Sequence, residues 1–474
     1  MFFDDLGEFS RDTALLSASS KSISYQALTD SADRIGDALT ERCLVFLVCR
    51  NCVDCLAGYL GLLRARCVPV LINENIDPVF FIRLLDTYRP NFVYLPSDTT
   101  QLAFESTETV SVGAYVLAKT EYTADYALHD DLALLLATSG STGSPKLVRQ
   151  SYLNISSNAE SIAHYLEISG ADRPITTMPM SYSYGLSIIN SHLLKGASIV
   201  VSDATLMERR FWDEIKLNRV TTLGGVPYLY EMLKRLQFSR MELPSLEYLT
   251  QAGGKLDIAL FAAFVDMCEE KDLRFVVMYG QTEATARMSY LPWKHARSKL
   301  GSIGLAIPGG RFWLEDEKRN KIVAHDKIGE LIYEGENVTM GYAESCYDLS
   351  LGDENRGILR TGDLAKRDTD GFYYITGRLN RFLKVYGNRV NLDEIEQLIR
   401  GEGHDCACVG TDDNVVIFLT EPERTGTVER IVAKRTGINR SAFSSVYIDE
   451  IPRTESGKIR YASLRDEGSS GRHG

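Results

Sequence analysis

Between Cys43 and Gly280, short apolar runs alternate with amphipathic stretches, and this alternation limits the possible folds more than any other feature. "CLVFLVC" reads as a buried strand, "CLAGYLGLLRARC" as a helix and "VPVLI" as the next strand. The rhythm returns in "ASIVVSD", "RFWDEIKLNRV", "TTLGGVP", "YLYEMLKRLQF", "LEYLTQAGG", "ALFAAFVDMCEEKDL" and "RFVVMYG". Strand–helix alternation of this kind builds βαβ units and a mostly parallel sheet. Sheets so built bind ligands beyond the carboxyl ends of their strands. Upstream, "SYQALTDSADRIGDALTER" reads as a helix with Ser24 as its N-cap.

After about Gly301 the texture changes to short strands and turns: "GGRFWLEDE", "KIVAH", "GELIYEG" and "GFYYITGR". From Asn380 onward the helices "LDEIEQLIR" and "VERIVAKRTG" and the strands "ACVGT" and "NVVIFLT" suffice for a small α+β domain. A chain of 474 residues exceeds one simple core. The expected architecture is α/β. A large N-terminal domain of βαβ sheets spans 1–379 and includes a β-rich subdomain at about 301–379. A small mobile C-terminal α+β domain spans 380–466, and a disordered tail spans 467–474.

The formal net charge is −12, which argues against a nucleic-acid binder because such proteins need a basic face. The N-terminus "MFFDDLGEFSRD" is acidic where a signal peptide would be basic, and no long apolar segment follows. A cytoplasmic protein without membrane insertion is expected. Cys52 and Cys55 form a C-x-x-C, but they fall in an apolar helix and no second pair lies at zinc-like spacing. Structural cysteines are the expected reading.

The run "LLLATSGSTGSPKLVRQS" ends an apolar strand in a cluster of hydroxyl and glycine residues: Thr138, Ser139, Gly140, Ser141, Thr142 and Gly143, with Lys146 beyond. The common phosphate loop is G-x-x-x-x-G-K-[ST]. Here Pro145 stands where the second glycine should be, and Leu147 stands where the hydroxyl should be. The chemistry is related nonetheless. Small residues let backbone N–H groups approach an anion, hydroxyls add donors, and Lys146 adds a positive charge. A plain surface turn needs only two or three such residues.

At this point the chain resembles the adenylate-forming enzymes, which include acyl-CoA synthetases, aryl-CoA ligases, luciferases and the adenylation domains of peptide synthetases. "ATSGSTGSPKLV" is similar to their phosphate loop. The other motifs follow in the family's order: "SYQALTDSADRIGDAL", "MYGQTEA", "GELIYEG", "LRTGDLAKRDTDGFYYITGR", "RFLKVYGNRVNLDEIE" and "PRTESGKIRY". Six motifs in order, spread over nearly the whole chain, make coincidence a poor account.

The resemblance implies ATP-dependent activation of a carboxylic acid to an acyl-adenylate, with release of pyrophosphate. Acyl transfer to a pantetheine thiol follows, CoA being the commonest acceptor and the phosphopantetheine of a carrier protein the next. In "MYGQTEA", Tyr279 would stack on adenine, Thr282 would contact the α-phosphate and Glu283 would hold Mg2+, with Gly280 and Gln281 in the same nucleotide-binding turn. Gly253 and Gly254 of "QAGGKLD" would border adenine and the acyl pocket. Asp363 would accept the ribose hydroxyls and Arg378 would help fix the ribose or phosphates, whereas Asp368 and Asp370 read as turn residues. Lys458 of "TESGKIR" would bridge the attacking carboxylate and the α-phosphate.

A lysine on a small terminal domain acts only if that domain docks, and in the family the domain then rotates for thiol attack. Asn380 stands at the family's hinge, where Asp or Lys is usual. Asn391 replaces a frequent Glu, and Ser151 with Tyr152 stands where a His is common. Members that activate amino acids carry an Asp near the position of Ser183, yet no acidic residue lies between Met180 and Lys195. A buried ammonium without a carboxylate is costly, so an acid without an α-amino group is expected. Tyr182, Ser183, Tyr184, Gly185 and Gly253 are the candidate pocket residues. The alternative from another class is an inactive nucleotide-binding scaffold. The presence of Glu283, Asp363, Arg378 and Lys458 argues against it.

Overall fold

The computed structural model describes residues 1–17, 22–123, 125–137, 146–385, 388–412, 414–454 and 457–470. The chain divides into two compact units. One comprises Met1–Phe312 with Tyr333–Leu359, and the other comprises Trp313–Ile332 with Arg360–Gly474.

The first unit is built on two mixed sheets, each with a run of parallel strands bordered by antiparallel ones rather than the mostly parallel sheet that the alternation predicts. In the larger, of eight strands, Leu132–Ala137, Val68–Asn73, Leu44–Cys49 and Phe92–Pro96 lie side by side and parallel. Antiparallel strands close both flanks, Leu147–Ser151 next to Leu132–Ala137 and Tyr115–Thr120 next to Phe92–Pro96. Every residue of Leu44–Cys49 is buried, as a central parallel strand covered on both faces requires. In the second sheet Thr222–Gly225, Tyr248–Gln251 and Arg274–Tyr279 run parallel, and Ser289–Leu291 returns antiparallel. Three of the strands expected from the sequence therefore end on the same side, where the glycine turn after Gln251 and the turn after Tyr279 emerge.

The helices follow the same logic. The helix Tyr25–Asp37 is capped by Ser24, whose hydroxyl accepts from the Ala27 N–H. The helix Val53–Arg64 carries Gly58 and Gly61, each of which costs about 1 kcal/mol of helix propensity relative to alanine. Close packing explains them. A Cβ on Gly58 would lie 2.3 Å from the Tyr94 ring, and one on Gly61 would lie 2.4 Å from the Ala32 carbonyl oxygen. Cys55 is buried in this helix with its Sγ 3.3 Å from Met180 Sδ, so the C-x-x-C serves packing. Ser151, in place of the common His region, caps the helix Tyr152–Tyr165 in a capping box with Asn154.

The second unit contains the strands of the β-rich stretch, the hairpin Phe382–Val385 with Asn388–Asn391, and a three-stranded sheet packed with helices. Asp368 accepts from the N–H groups of Asp370 and Phe372, which confirms the turn expected there. Asn391 caps the helix Leu392–Gly401 by accepting from the Asp393 N–H, and donates to the Thr376 carbonyl. The last helix runs Tyr461–Ser470, so Glu467–Ser470 is helical where a disordered tail was expected, and 471–474 lie outside the described residues. The helix is anchored at its first turn, where Tyr461 donates to buried Glu396.

Glu396 belongs to a buried charge cluster. Arg381 pairs with Glu396 at 2.5 Å and Asp393 at 2.7 Å, donates to the Cys408 carbonyl, and lies 3.9 Å over the Tyr461 ring. Arg381 is 5% exposed and Glu396 2%. Glu396 keeps a second cation in Arg400 at 3.1 Å, so removing Arg381 takes one of its two partners, and the loss falls at the low end of the about 3–5 kcal/mol typical of breaking a buried pair. Arg381→Met is therefore expected to destabilise this unit by about that amount. Arg381→Lys should recover only part of it, because one ammonium cannot reproduce the fork. Chemical denaturation of the three proteins checks this, and an unchanged midpoint for Arg381→Met would show the cluster to be energetically idle.

Candidate active site

The strand Arg274–Tyr279 delivers the chain into a tight turn. Gly280 is required there, since a Cβ would lie 1.6 Å from the Ala286 carbonyl oxygen. The short helical turn Thr282–Ala284 follows, and Thr285 closes it at φ 64°, in the left-handed region. Buried Asn337 holds this turn from behind. Its amide donates to the carbonyls of Ala284 at 2.9 Å and Arg287 at 3.1 Å, and its oxygen accepts from the Tyr333 hydroxyl at 2.8 Å. Thr339 adds two bonds to the Glu283 carbonyl, one from its N–H and one from its hydroxyl. Thr282 and Glu283 are thus presented by a backbone fixed on both sides.

Their side chains have defined neighbours. Thr282 Oγ1 lies 3.3 Å from Ser183 Oγ, so two hydroxyls converge. One oxygen of the half-buried Glu283 carboxylate accepts from the Tyr342 hydroxyl at 2.7 Å. Burial, with the Glu283 charge beside it, pushes the Tyr342 phenol well above its usual range, so it remains a donor. Lys146 lies 3.7 Å over the Tyr342 ring and 3.6 Å from Glu344. The cation that ends the glycine–serine loop and the carboxylate of "QTEA" therefore share Tyr342 as a neighbour. Arg149, wholly buried, fixes that segment by donating to the carbonyls of Met340, Tyr342 and Gly352 and pairing with Glu354. Tyr279 accepts from the Gln281 amide at 3.3 Å, and its ring lies 6.5 Å from Phe312.

The helix Ser183–Leu193 begins beside this turn. Tyr182 precedes it, and its hydroxyl lies 2.6 Å from where a Cβ on Gly253 would stand. Gly253 has φ +84°, and Gly254 lies against the Pro227 ring, so this turn needs glycine for both conformation and space. Tyr184 is buried and donates to the Thr250 carbonyl at 3.0 Å. A Cβ on Gly185 would lie 2.5 Å from the Pro179 carbonyl. Of the expected pocket residues, Tyr182, Ser183 and Gly253 thus touch the turns that end strands, while Tyr184 and Gly185 pack into the wall behind them.

The second unit holds the remaining candidates. Asp363 and Arg378 are partners across adjacent strands, joined by a bond of 2.8 Å from the guanidinium Nε. Asp363 is buried and Arg378 is exposed, so the carboxylate is held in place by a cation at the surface. Lys458 lies in a loop closed by two bonds with Thr454, one of 2.7 Å to the Lys458 carbonyl and one of 3.1 Å from its N–H. Asn380 falls in the short turn Leu379–Arg381, and its side chain lies outside what the structure describes. Thr138, Ser139, Gly140, Ser141, Thr142 and Gly143 also lie outside the described residues.

Four residues of this arrangement carried no sequence signal: Asn337, Tyr342, Arg149 and Arg287. Each acts through partners at least 50 positions away or through burial, which local periodicity does not encode. Among the described residues no cluster of three metal-binding side chains occurs. A single carboxylate fits magnesium, which is commonly held by one or two carboxylates together with substrate phosphates and water.

A family model described as "AMP-binding enzyme" matches residues 2–343. The feruloyl-CoA synthase of an Amycolatopsis species is 26% identical over 352 residues, 71% of this chain and 70% of that one. The 2-succinylbenzoate–CoA ligase of Listeria monocytogenes serotype 4b is 25% identical over 368 residues, 74% of each chain. The solved structure of O-succinylbenzoate coenzyme A synthetase from Bacillus subtilis, in complex with ATP and magnesium ion, superposes with a TM-score of 0.78. It is 21% identical, and the match covers 98% of this chain and 99% of that one.

Proposed function

The chain belongs to the AMP-binding enzymes, and from that premise we propose that it joins a carboxylic acid to the thiol of CoA in two steps. ATP first converts the acid to an acyl-adenylate and pyrophosphate leaves. The thiol then displaces AMP. The activation is needed because a free carboxylate repels nucleophiles and has a poor leaving group. The observation that carries the reading is the rigid turn presenting Thr282 and Glu283 beside Ser183 and Lys146's neighbour Tyr342.

In this reading the paired hydroxyls of Thr282 and Ser183 donate to the α-phosphate and orient it for in-line attack. Lys146 and the loop before it hold the departing phosphates. Asp363, steadied by Arg378, accepts the ribose hydroxyls, and Tyr279 offers its ring to adenine. Lys458 neutralises charge that builds on the α-phosphate during attack. Asn380 is the pivot for the family's change between half-reactions. Magnesium, when bound, screens the phosphate charge, and Glu283 would hold it through the oxygen that Tyr342 does not occupy.

The acid has no α-amino group. The helix "SYGLSIINSHL" offers no carboxylate to an ammonium, and the relatives named for feruloyl and 2-succinylbenzoate substrates point the same way. CoA is preferred over a carrier protein because those relatives are named as CoA enzymes. Among the described residues no helix is long and apolar enough to cross a membrane. We propose the cytoplasm as the place of the reaction because ATP and CoA are abundant there.

ATP–pyrophosphate exchange tests the reading. Exchange should require both an acid and magnesium, and robust exchange with alanine but with no simple acid would sink it. Glu283→Gln should raise the magnesium concentration needed for half-maximal exchange by about tenfold or more. Full exchange in excess chelator would remove Glu283 from that role.

A further inference from the structure

Arg287 is a cation in the protein interior that meets no counter-ion among the described residues. It is 2% exposed. Its Nε donates to Ser187 Oγ at 3.1 Å, and its Nη1 lies 3.2 Å from both the Tyr165 hydroxyl and Met278 Sδ. Its guanidinium lies 5.0 Å over the Tyr184 ring. These partners are all neutral. Among the described residues no carboxylate pairs with it. A guanidinium has five donors and keeps its charge at any physiological pH. Leaving it buried and unpaired is strongly unfavourable, so natural proteins pair such charges with an anion.

Position indicates which anion. Ser183 and Ser187 are four residues apart on the helix Ser183–Leu193, so they lie on one face. Ser183 meets Thr282 at the end where the reacting carboxylate is activated, and Ser187 meets Arg287. The two points are separated by one helical turn, about 6 Å along the axis. Tyr184 lies between them in sequence and presents its ring face to the guanidinium. Arg287 also follows the turn held by Gly280 and Asn337, and its own carbonyl accepts from Asn337 and Asn158, so the guanidinium is placed from a fixed backbone.

We propose that Arg287 receives a second anionic group on the substrate, making this an enzyme for short acids that carry two negative groups about one helical turn apart. This rests on the acid-activating reading above and names its substrate class. Linear diacids of about five or six carbons, and benzene dicarboxylates, have that span. An acid with an uncharged tail would leave Arg287 unpaired and be rejected, as sites built around a polar partner reject analogues that lack it.

The test compares glutarate, adipate and isophthalate, each beside its monomethyl ester, in pyrophosphate exchange and CoA thioester formation. The wild-type protein should use at least one diacid with a kcat/KM about 10²-fold or more above that of its monoester. Arg287→Met should lower that diacid value by about 10²-fold or more and bring diacid and monoester to within a few-fold of each other. Arg287→Lys should restore part of the diacid preference, because it restores the charge but not the fork. Wild-type protein that uses monoesters as well as diacids would overturn the proposal while leaving the acid-activating reading intact. So would Arg287→Met lowering both substrates equally, which is the mark of a structural strut. Absence of exchange with every acid tested, simple acids included, would overturn both. Should Arg287→Met fail to fold, the wild-type ratio of diacid to monoester decides alone.

Discussion

Lys458→Ala is expected to slow adenylate formation by about 10²- to 10³-fold while leaving thiol transfer from a supplied acyl-adenylate nearly unchanged. That magnitude is typical of removing one preorganised charge-stabilising group. The loop holding Lys458 is closed by bonds to the Lys458 backbone, which truncation of the side chain leaves in place. Thr454 ties it at both its N–H and its carbonyl, Gly457 takes φ +75°, and Arg453 pairs with Asp405 at 3.1 Å. Truncation should therefore remove the charge and spare the fold, and an unfolding curve matching wild type is part of the expectation. The unequal loss follows because, in this reading, Lys458 acts on the step in which the carboxylate attacks the α-phosphorus, whereas the thiol attacks the acyl carbon. Rapid-quench measurement of adenylate formation and of thioester release, run separately, decides it. Equal losses in the two steps would assign Lys458 a structural role and remove the chemical one.

Gly280→Ala should produce a comparable loss by an unrelated cause. Its Cβ would stand 1.6 Å from the Ala286 carbonyl oxygen and 2.8 Å from the Arg287 Cα, and both obstacles are backbone. No rotamer relieves such a clash, so the turn must open. Thr282 and Glu283 are two and three residues away and would move with it. A misplacement of about 1 Å at reacting groups can cost 10²-fold in rate, so exchange should fall by at least about that factor. Overpacking of this kind also typically costs about 1–3 kcal/mol of stability. Gly7→Ala is the matched control, because a Cβ there meets nothing within 4 Å. It should stay within about 0.5 kcal/mol of wild type, as surface changes do. A Gly280→Ala protein with wild-type exchange would mean that the turn does not hold Thr282 and Glu283 as described.

Much of this protein was legible before its fold was known. The buried run Leu44–Cys49, the helix Tyr25–Asp37 with its Ser24 cap, the Asp368 turn and the position of "QTEA" beyond a strand all depend on neighbours within a few residues. Periodicity, capping and turn chemistry act over that range, so they can be read along a chain. Ser183 stands at the start of its helix against Thr282, and Gly253 stands in the glycine turn against Tyr182.

The rest is decided by contacts between distant segments. Tyr184 and Gly185 stand in the same motif as Ser183, yet they face Thr250 and Pro179 because a helix turns about 100° per residue. Asn337 reaches Ala284 across 53 positions, and Tyr342 reaches Glu283 across 59. Neither residue type at either position signals a role. Arg149 and Arg287 go furthest against local expectation, since an arginine in isolation reads as a solvated surface charge, yet both are buried. Arg149 finds carbonyls and Glu354 in its interior position, whereas among the described residues Arg287 is bonded to neutral groups. The sequence by itself determined the strands, the helices and the order of the motifs, because hydrophobic period and turn chemistry are local. Only the tertiary structure decided which charges lose their water and what they meet instead, because desolvation depends on everything packed around a group and not on its place in the chain.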